Sequence, residues 1–157
     1  MRIILASVGR QHENYIQQGV QDFTGRIEKY FRTEWLLIPV PKNAALMDEK
    51  TLKLQEAKII LQQVEDQDFL VLLDERGKQL SSPELANLIQ QKANDSTKRV
   101  IFLIGGAYGA DLSVMQRANF TWSLSKLVFP HMLVRLVLAE QIYRACTILR
   151  NEKYHHS

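Results

Sequence analysis

Along this chain the spacing of apolar residues switches back and forth between two periods. Apolar-rich runs at 2–8, 34–40, 68–74 and 98–104 have the length of strands, and the last two are nearly continuous, as in strands buried on both faces of a sheet. Between them the spacing lengthens to that of a helix. Ile16, Val20, Phe23, Ile27 and Tyr30 recur every three or four positions, and Leu54, Ala57, Leu61 and Val64 do likewise. A third helix is expected with Ser82 as its N-cap, Pro83 at its first position and Leu85, Leu88 and Ile89 along one face. Pro39-Val40-Pro41-Lys42-Asn43 closes a strand and opens a flexible-looking connection that reaches about Met47. Strands alternating with helices predict an α/β fold with a mostly parallel sheet, and 157 residues without a repeat or linker predict one domain.

The last helix, at about 132–150, is different. Leu133, Val134, Leu136, Val137, Leu138, Ala139, Ile142, Tyr143, Ala145, Ile148 and Leu149 place apolar groups on more than one of its faces. A sheet covers one side of such a helix, so a second copy of the chain is the expected cover for another, and a homodimer is predicted.

Composition narrows the setting. One cysteine, Cys146, excludes an intrachain disulfide, lies on an apolar helix face and fits a reducing, cytoplasmic environment. The apolar start of the chain is too short for a signal sequence and reads as a first strand. The most apolar stretch, 132–149, carries Arg135, Glu140 and Arg144, which argues against a membrane span. A net charge of +3 leans mildly toward anionic partners. The lean is local: from His131 onward there are Arg135, Arg144, Arg150 and Lys153 against Glu140 and Glu152, together with His155 and His156. No metal site is expected, since His155 and His156 are adjacent and lack a cysteine or carboxylate at ligand spacing.

The candidate chemistry lies in the last third. Leu103-Ile104 runs into Gly105-Gly106-Ala107-Tyr108-Gly109, and a double glycine at a strand end lets a flat ligand approach backbone N–H and C=O groups. The spacing does not fit a dinucleotide fingerprint, whose glycines flank single residues. Further on stand Trp122-Ser123-Leu124-Ser125-Lys126-Leu127-Val128-Phe129-Pro130-His131 and then the apolar helix. With Leu72-Leu73-Asp74, Gly77-Lys78, Val134-Arg135 and Glu140-Gln141-Ile142-Tyr143-Arg144-Ala145, these residues form an ordered set. By that set the chain resembles the small SPOUT-type methyltransferases, most closely the ribosomal large-subunit pseudouridine methyltransferase family.

The resemblance runs from the first strand to Tyr154-His155. It implies an α/β SPOUT fold with a trefoil knot near the C-terminus and a cytoplasmic homodimer. It also implies methylation of N3 of a pseudouridine in 23S rRNA, with S-adenosyl-L-methionine as methyl donor and neither DNA nor membrane as partner. By position it assigns cofactor contacts to Leu73, Gly105, Leu124, Ser125, Lys126, Leu127, Val128 and Phe129. His131 is the candidate base, or a contact to the target nucleotide. Tyr154 and His155 are candidates to hold the target base, and Arg144, like Arg135, a candidate for phosphate or for pairing with Glu140. The chain departs from the family where Tyr154-His155 is followed by His156 instead of a fixed cation. A catalytically silent RNA-binding module of the same fold is the alternative, but it would have little use for the glycine turn and the 124–129 run.

Overall fold

Successive residues of the first strand, β1 (Arg2–Val8), serve two different cores, and this sets the layering of the molecule. Ile3 and Leu5 point to one face of the sheet and Ile4, Ala6 and Val8 to the other. In the computed structural model, which describes residues 1–156, β1 is joined by β2 (Arg32–Ile38), β3 (Phe69–Gln79), β4 (Arg99–Ile104) and β5 (Phe120–Ser123). The order across the sheet is β2-β1-β4-β3-β5, and every pairing is parallel. Two helices, α1 (Asn14–Ile27) and α3 (Ser82–Asn94), flank α5 (His131–Leu149) on the face of Ile3, Leu5 and Phe102. On the opposite face α2 (Glu49–Gln62) and α4 (Leu112–Arg117) cover Ile4, Leu70, Leu72 and Leu103. Each buried Leu or Ile contributes about 1.5–3 kcal/mol by leaving water, so a core on both faces fixes the register of the central strands.

The expected alternation is present, with differences that have physical causes. β2 begins and ends two residues earlier than the apolar run suggests, because Pro39 has no N–H for the ladder and Val40 is exposed. The helix α3 is capped by Ser81, not Ser82: Ser81 Oγ accepts from the Glu84 N–H at 3.2 Å and the Ser81 N–H donates to Glu84 at 2.7 Å. The buried face of α2 carries Glu56, Ala57 and Ile60, while Leu54 is exposed. A short 3-10 turn, Ala44–Leu46, lies within the connection expected to be flexible. Leu138, Ala139, Ile142, Ala145 and Cys146 of α5 are buried between α1, α3 and the sheet. Much of that helix's apolar breadth is therefore covered within the chain. Cys146 is a core residue whose thiol is pushed up to about 12 by burial.

β3 continues through a charged stretch that reads as a loop. Leu73 pairs with Trp122 and Lys78 pairs with Trp122 again, so 74–77 bulges out of the β3–β5 ladder. Gly77 closes this bulge against β5: a Cβ there would lie 2.6 Å from the carbonyl of Thr121 and 2.7 Å from the Trp122 nitrogen. Only a glycine lets the two backbones come so close. Among the described residues no helix is long and apolar enough to cross a membrane.

Candidate active site

The carboxyl ends of β3, β4 and β5 lie side by side and open into a cleft of about 650 Å³. Leu73 forms one wall, the 104–109 turn a second, and the segment from Trp122 through His131 a third. The Gly109 N–H donates to the Gly106 carbonyl at 3.1 Å and closes the turn. The two neighbouring glycines serve different ends. A Cβ on Gly105 would be in ordinary contact with Gly109, at 3.5 Å, so the protein does not demand glycine there and its missing side chain leaves room in the cleft. A Cβ on Gly106 would collide with the carboxylate of Glu56, which reaches up from α2. Glu56 is buried, makes no ion pair among the described residues, and its pKa is raised by that burial.

Serine side chains shape the 123–129 loop. Ser123 Oγ donates to the Ser125 carbonyl at 3.0 Å, and Ser125 Oγ accepts from the Leu127 N–H at 3.0 Å. This curl leaves Leu127 and Val128 at the rim, 71% and 82% exposed. Leu73, Gly105, Leu124, Ser125, Leu127, Val128 and Phe129 all line the cleft; Lys126 is exposed and does not. Trp122 lines it too, and its buried Nε1 has no hydrogen-bond partner among the described residues.

His131, the first residue of α5, also faces the cleft. Burial, with Arg135 nearby, holds its imidazole below the usual value of 6.5, although the Gly106 backbone contact pulls the other way. The ring is therefore neutral at pH 7 and free to take a proton. Arg135, one turn on, is only 1% exposed, and its guanidinium donates to Ser7 Oγ at 3.1 Å and to the Arg10 carbonyl at 2.9 Å. Its Nη1 also lies 3.2 Å from His12 Nδ1. Arg135 thus ties the β1–α1 loop to α5 instead of pairing with Glu140.

The other predicted residues form a second cluster. Arg144 pairs with Glu140 one turn earlier, Tyr154 Oη donates to Glu140 at 3.0 Å, and His155 Nδ1 lies 3.4 Å from Arg144 Nη1. The Arg144 guanidinium stacks 4.7 Å from the Tyr154 ring centre. So the tail folds back along α5. His131 and Arg144 are thirteen positions apart on one straight helix, about 20 Å at 1.5 Å per residue. One chain does not bring the two groups together. His156 is exposed, and Ser157 lies outside the described residues.

Sequence reasoning gave no role to the charged side of the cleft, where Lys53, Asp74, Glu75 and Arg76 stand. Their signal was available: polar residues directly after an apolar strand, where ligands of parallel sheets bind.

A parallel sheet covered on both faces, with a glycine turn and a cleft at its carboxyl edge, defines an α/β protein whose cleft lies where ligands of such sheets bind. Comparison with known proteins makes the class specific. A family model described as "Predicted SPOUT methyltransferase" matches residues 1–155, and the chain belongs to the SPOUT methyltransferase family. Among its relatives, the protein named ribosomal RNA large subunit methyltransferase H from Cytophaga hutchinsonii is 44% identical over 156 residues, covering 99% of this chain and 100% of that protein. Its namesake from Christiangramia forsetii is 42% identical, with 99% of each chain covered. The structure of a probable methyltransferase from Bordetella pertussis shares the fold at a TM-score of 0.57 and 13% identity, covering 92% of this chain and 94% of that one. The cleft suits the family's methyl donor, S-adenosylmethionine: Gly105 leaves space beside the backbone, and Leu73 and Leu124 offer apolar surface to an adenine.

Proposed function

We propose that this protein methylates N3 of a pseudouridine in the 23S rRNA of the large ribosomal subunit, working in the cytoplasm as a homodimer on assembled ribosomes. In this reading residues 1–157 act as one SPOUT domain with a trefoil knot near its C-terminus. Membership of the SPOUT family supports the knot, and relatives named as large-subunit rRNA methyltransferases support the substrate. The cleft at Gly105 and 124–129 carries the reading, because it provides a cofactor site that RNA binding alone does not require.

S-adenosylmethionine, when bound, supplies an electrophilic methyl on a sulfonium. N3 attacks the methyl carbon as the carbon–sulfur bond breaks, the thioether leaves uncharged, and the N3 proton must go elsewhere. His131, neutral and beside the cleft, accepts that proton on its imidazole. The remaining work is alignment, to which the rigid glycine turn and the serine-held loop contribute. Arg144, Tyr154 and His155 hold the target nucleotide by charge, stacking and hydrogen bonds. Their distance from His131 within one chain supports a site completed by the second subunit, and the exposed Leu127 and Val128 at the cleft rim support an apolar contact there.

Mass mapping of 23S rRNA from a strain lacking the protein tests the function: one pseudouridine should lack a methyl group and regain it when purified protein and S-adenosylmethionine are added. An unchanged rRNA would leave the silent RNA-binding module. Gly105→Val should weaken cofactor binding at least about tenfold, or ~1.4 kcal/mol, without unfolding the protein. Unchanged affinity by calorimetry would show that the turn does not touch the ligand.

A further inference from the structure

The cleft has a charged end that neither the apolar adenine contacts nor the proton transfer uses. Asp74, directly after Leu73, has a carboxylate only 7% exposed. Its Oδ1 accepts from the Arg76 backbone N–H and from Arg76 Nε, both at 2.9 Å, and its Oδ2 from Arg76 Nη2 at 2.9 Å. This fork fixes the guanidinium plane, and Nη2 also lies 3.4 Å from Met115 Sδ. The Nη1 donors have no partner among the described residues, and the Arg76 side chain lines the cleft with 59% of its surface exposed. Lys53 of α2 lines the same end and is close enough to Asp74 to help hold its pKa low. Two cations thus stand over a carboxylate that one of them already engages.

We propose that Arg76, oriented by Asp74 and supported by Lys53, binds the α-carboxylate of the methyl donor's amino-acid end. The proposal rests on reading the cleft as the S-adenosylmethionine site. The chemistry fits. That end of the donor is a zwitterion, and a fixed guanidinium edge beside a second cation suits a carboxylate, which accepts charge-assisted hydrogen bonds in one plane. Leu73 is next to Asp74 in sequence, so a ligand resting its purine on Leu73 has this charged end within its own length. Arg76 is a specificity determinant here and Asp74 a positioning residue.

Calorimetry with S-adenosylmethionine and with its decarboxylated analogue, on wild type and Arg76→Gln, separates the possibilities. Wild type should prefer the carboxylated ligand at least about tenfold, the share of one charge-assisted hydrogen bond. Arg76→Gln should bring that ratio to within about threefold while binding the analogue as wild type does. A ratio that survives in the variant overturns the proposal, as does an equal loss for both ligands, which would make Arg76 a support of the cleft wall. So does a variant that keeps full cofactor affinity but binds ribosomes less tightly, which would assign Arg76 to RNA. Wild type that binds neither ligand would refute the reading of the cleft itself, a distinguishable result.

Discussion

His131 shows how one side chain's surroundings set its chemistry. Buried beside the permanent charge of Arg135, it resists protonation, and its pKa falls below 6.5. Rates on ribosomes should therefore be insensitive to this group near neutrality and should drop only on acidification, with an apparent pKa under 6.5. The sign for stability is the same. A depressed pKa gives a contribution that is full above the unfolded value and is lost as pH falls through the folded one. His131→Asn should lower the methyl-transfer rate by roughly a hundredfold, the low end of what a positioned base supplies, with cofactor affinity within a few-fold. An acid limb that persists in the variant would assign the titration to another residue.

At the scale of elements, two glycines make opposite predictions. Gly77 meets the backbone of β5 where β3 bulges, and backbone cannot rotate aside, so Gly77→Ala should cost at least about 2 kcal/mol in urea unfolding. Gly25, inside α1, has nothing within 4 Å of its Cβ position, and Gly25→Ala should add roughly 0.5–1 kcal/mol. What could be read in advance follows the same division. The long elements announced themselves, because β1 and β4 are almost continuously buried apolar runs and α1 buries Ile16, Val20 and Ile27 at helical spacing. β5, with four residues, and α4, with six, are too short to show a period. The far end of β3 is charged and lines the cleft, so its composition disguised its conformation; Asp74 was read without a role and Arg76 was not read at all. On α2 a buried glutamate displaced the expected face, since no pattern rule anticipates a carboxylate set beneath a glycine turn.

For the whole molecule, the question is what a single chain leaves unfinished. α5 finds much of its cover in α1 and α3, whereas Tyr108, Leu127 and Val128 lie open around the cleft. A homodimer sealed near the cleft should sediment as one species at micromolar concentration, and Val128→Asp should shift it toward monomer and depress methyl transfer. A wild-type monomer with full activity would refute this. Removing 154–157 should abolish transfer with cofactor affinity within a few-fold, since Tyr154 packs on α5 and not in the cleft.

The two tight glycines also differ in how they can change over generations. At Gly77 the obstacle is main chain, which every sequence shares, so no second mutation can open the way. At Gly106 the obstacle is the side chain of Glu56, and side chains are negotiable. Gly106→Ala should destabilise the protein by about 1–3 kcal/mol alone, and pairing it with Glu56→Asp, which draws the carboxylate back by one methylene, should restore at least about half. Position 106 is thus free to drift together with position 56, while position 77 has no companion whose change could release it.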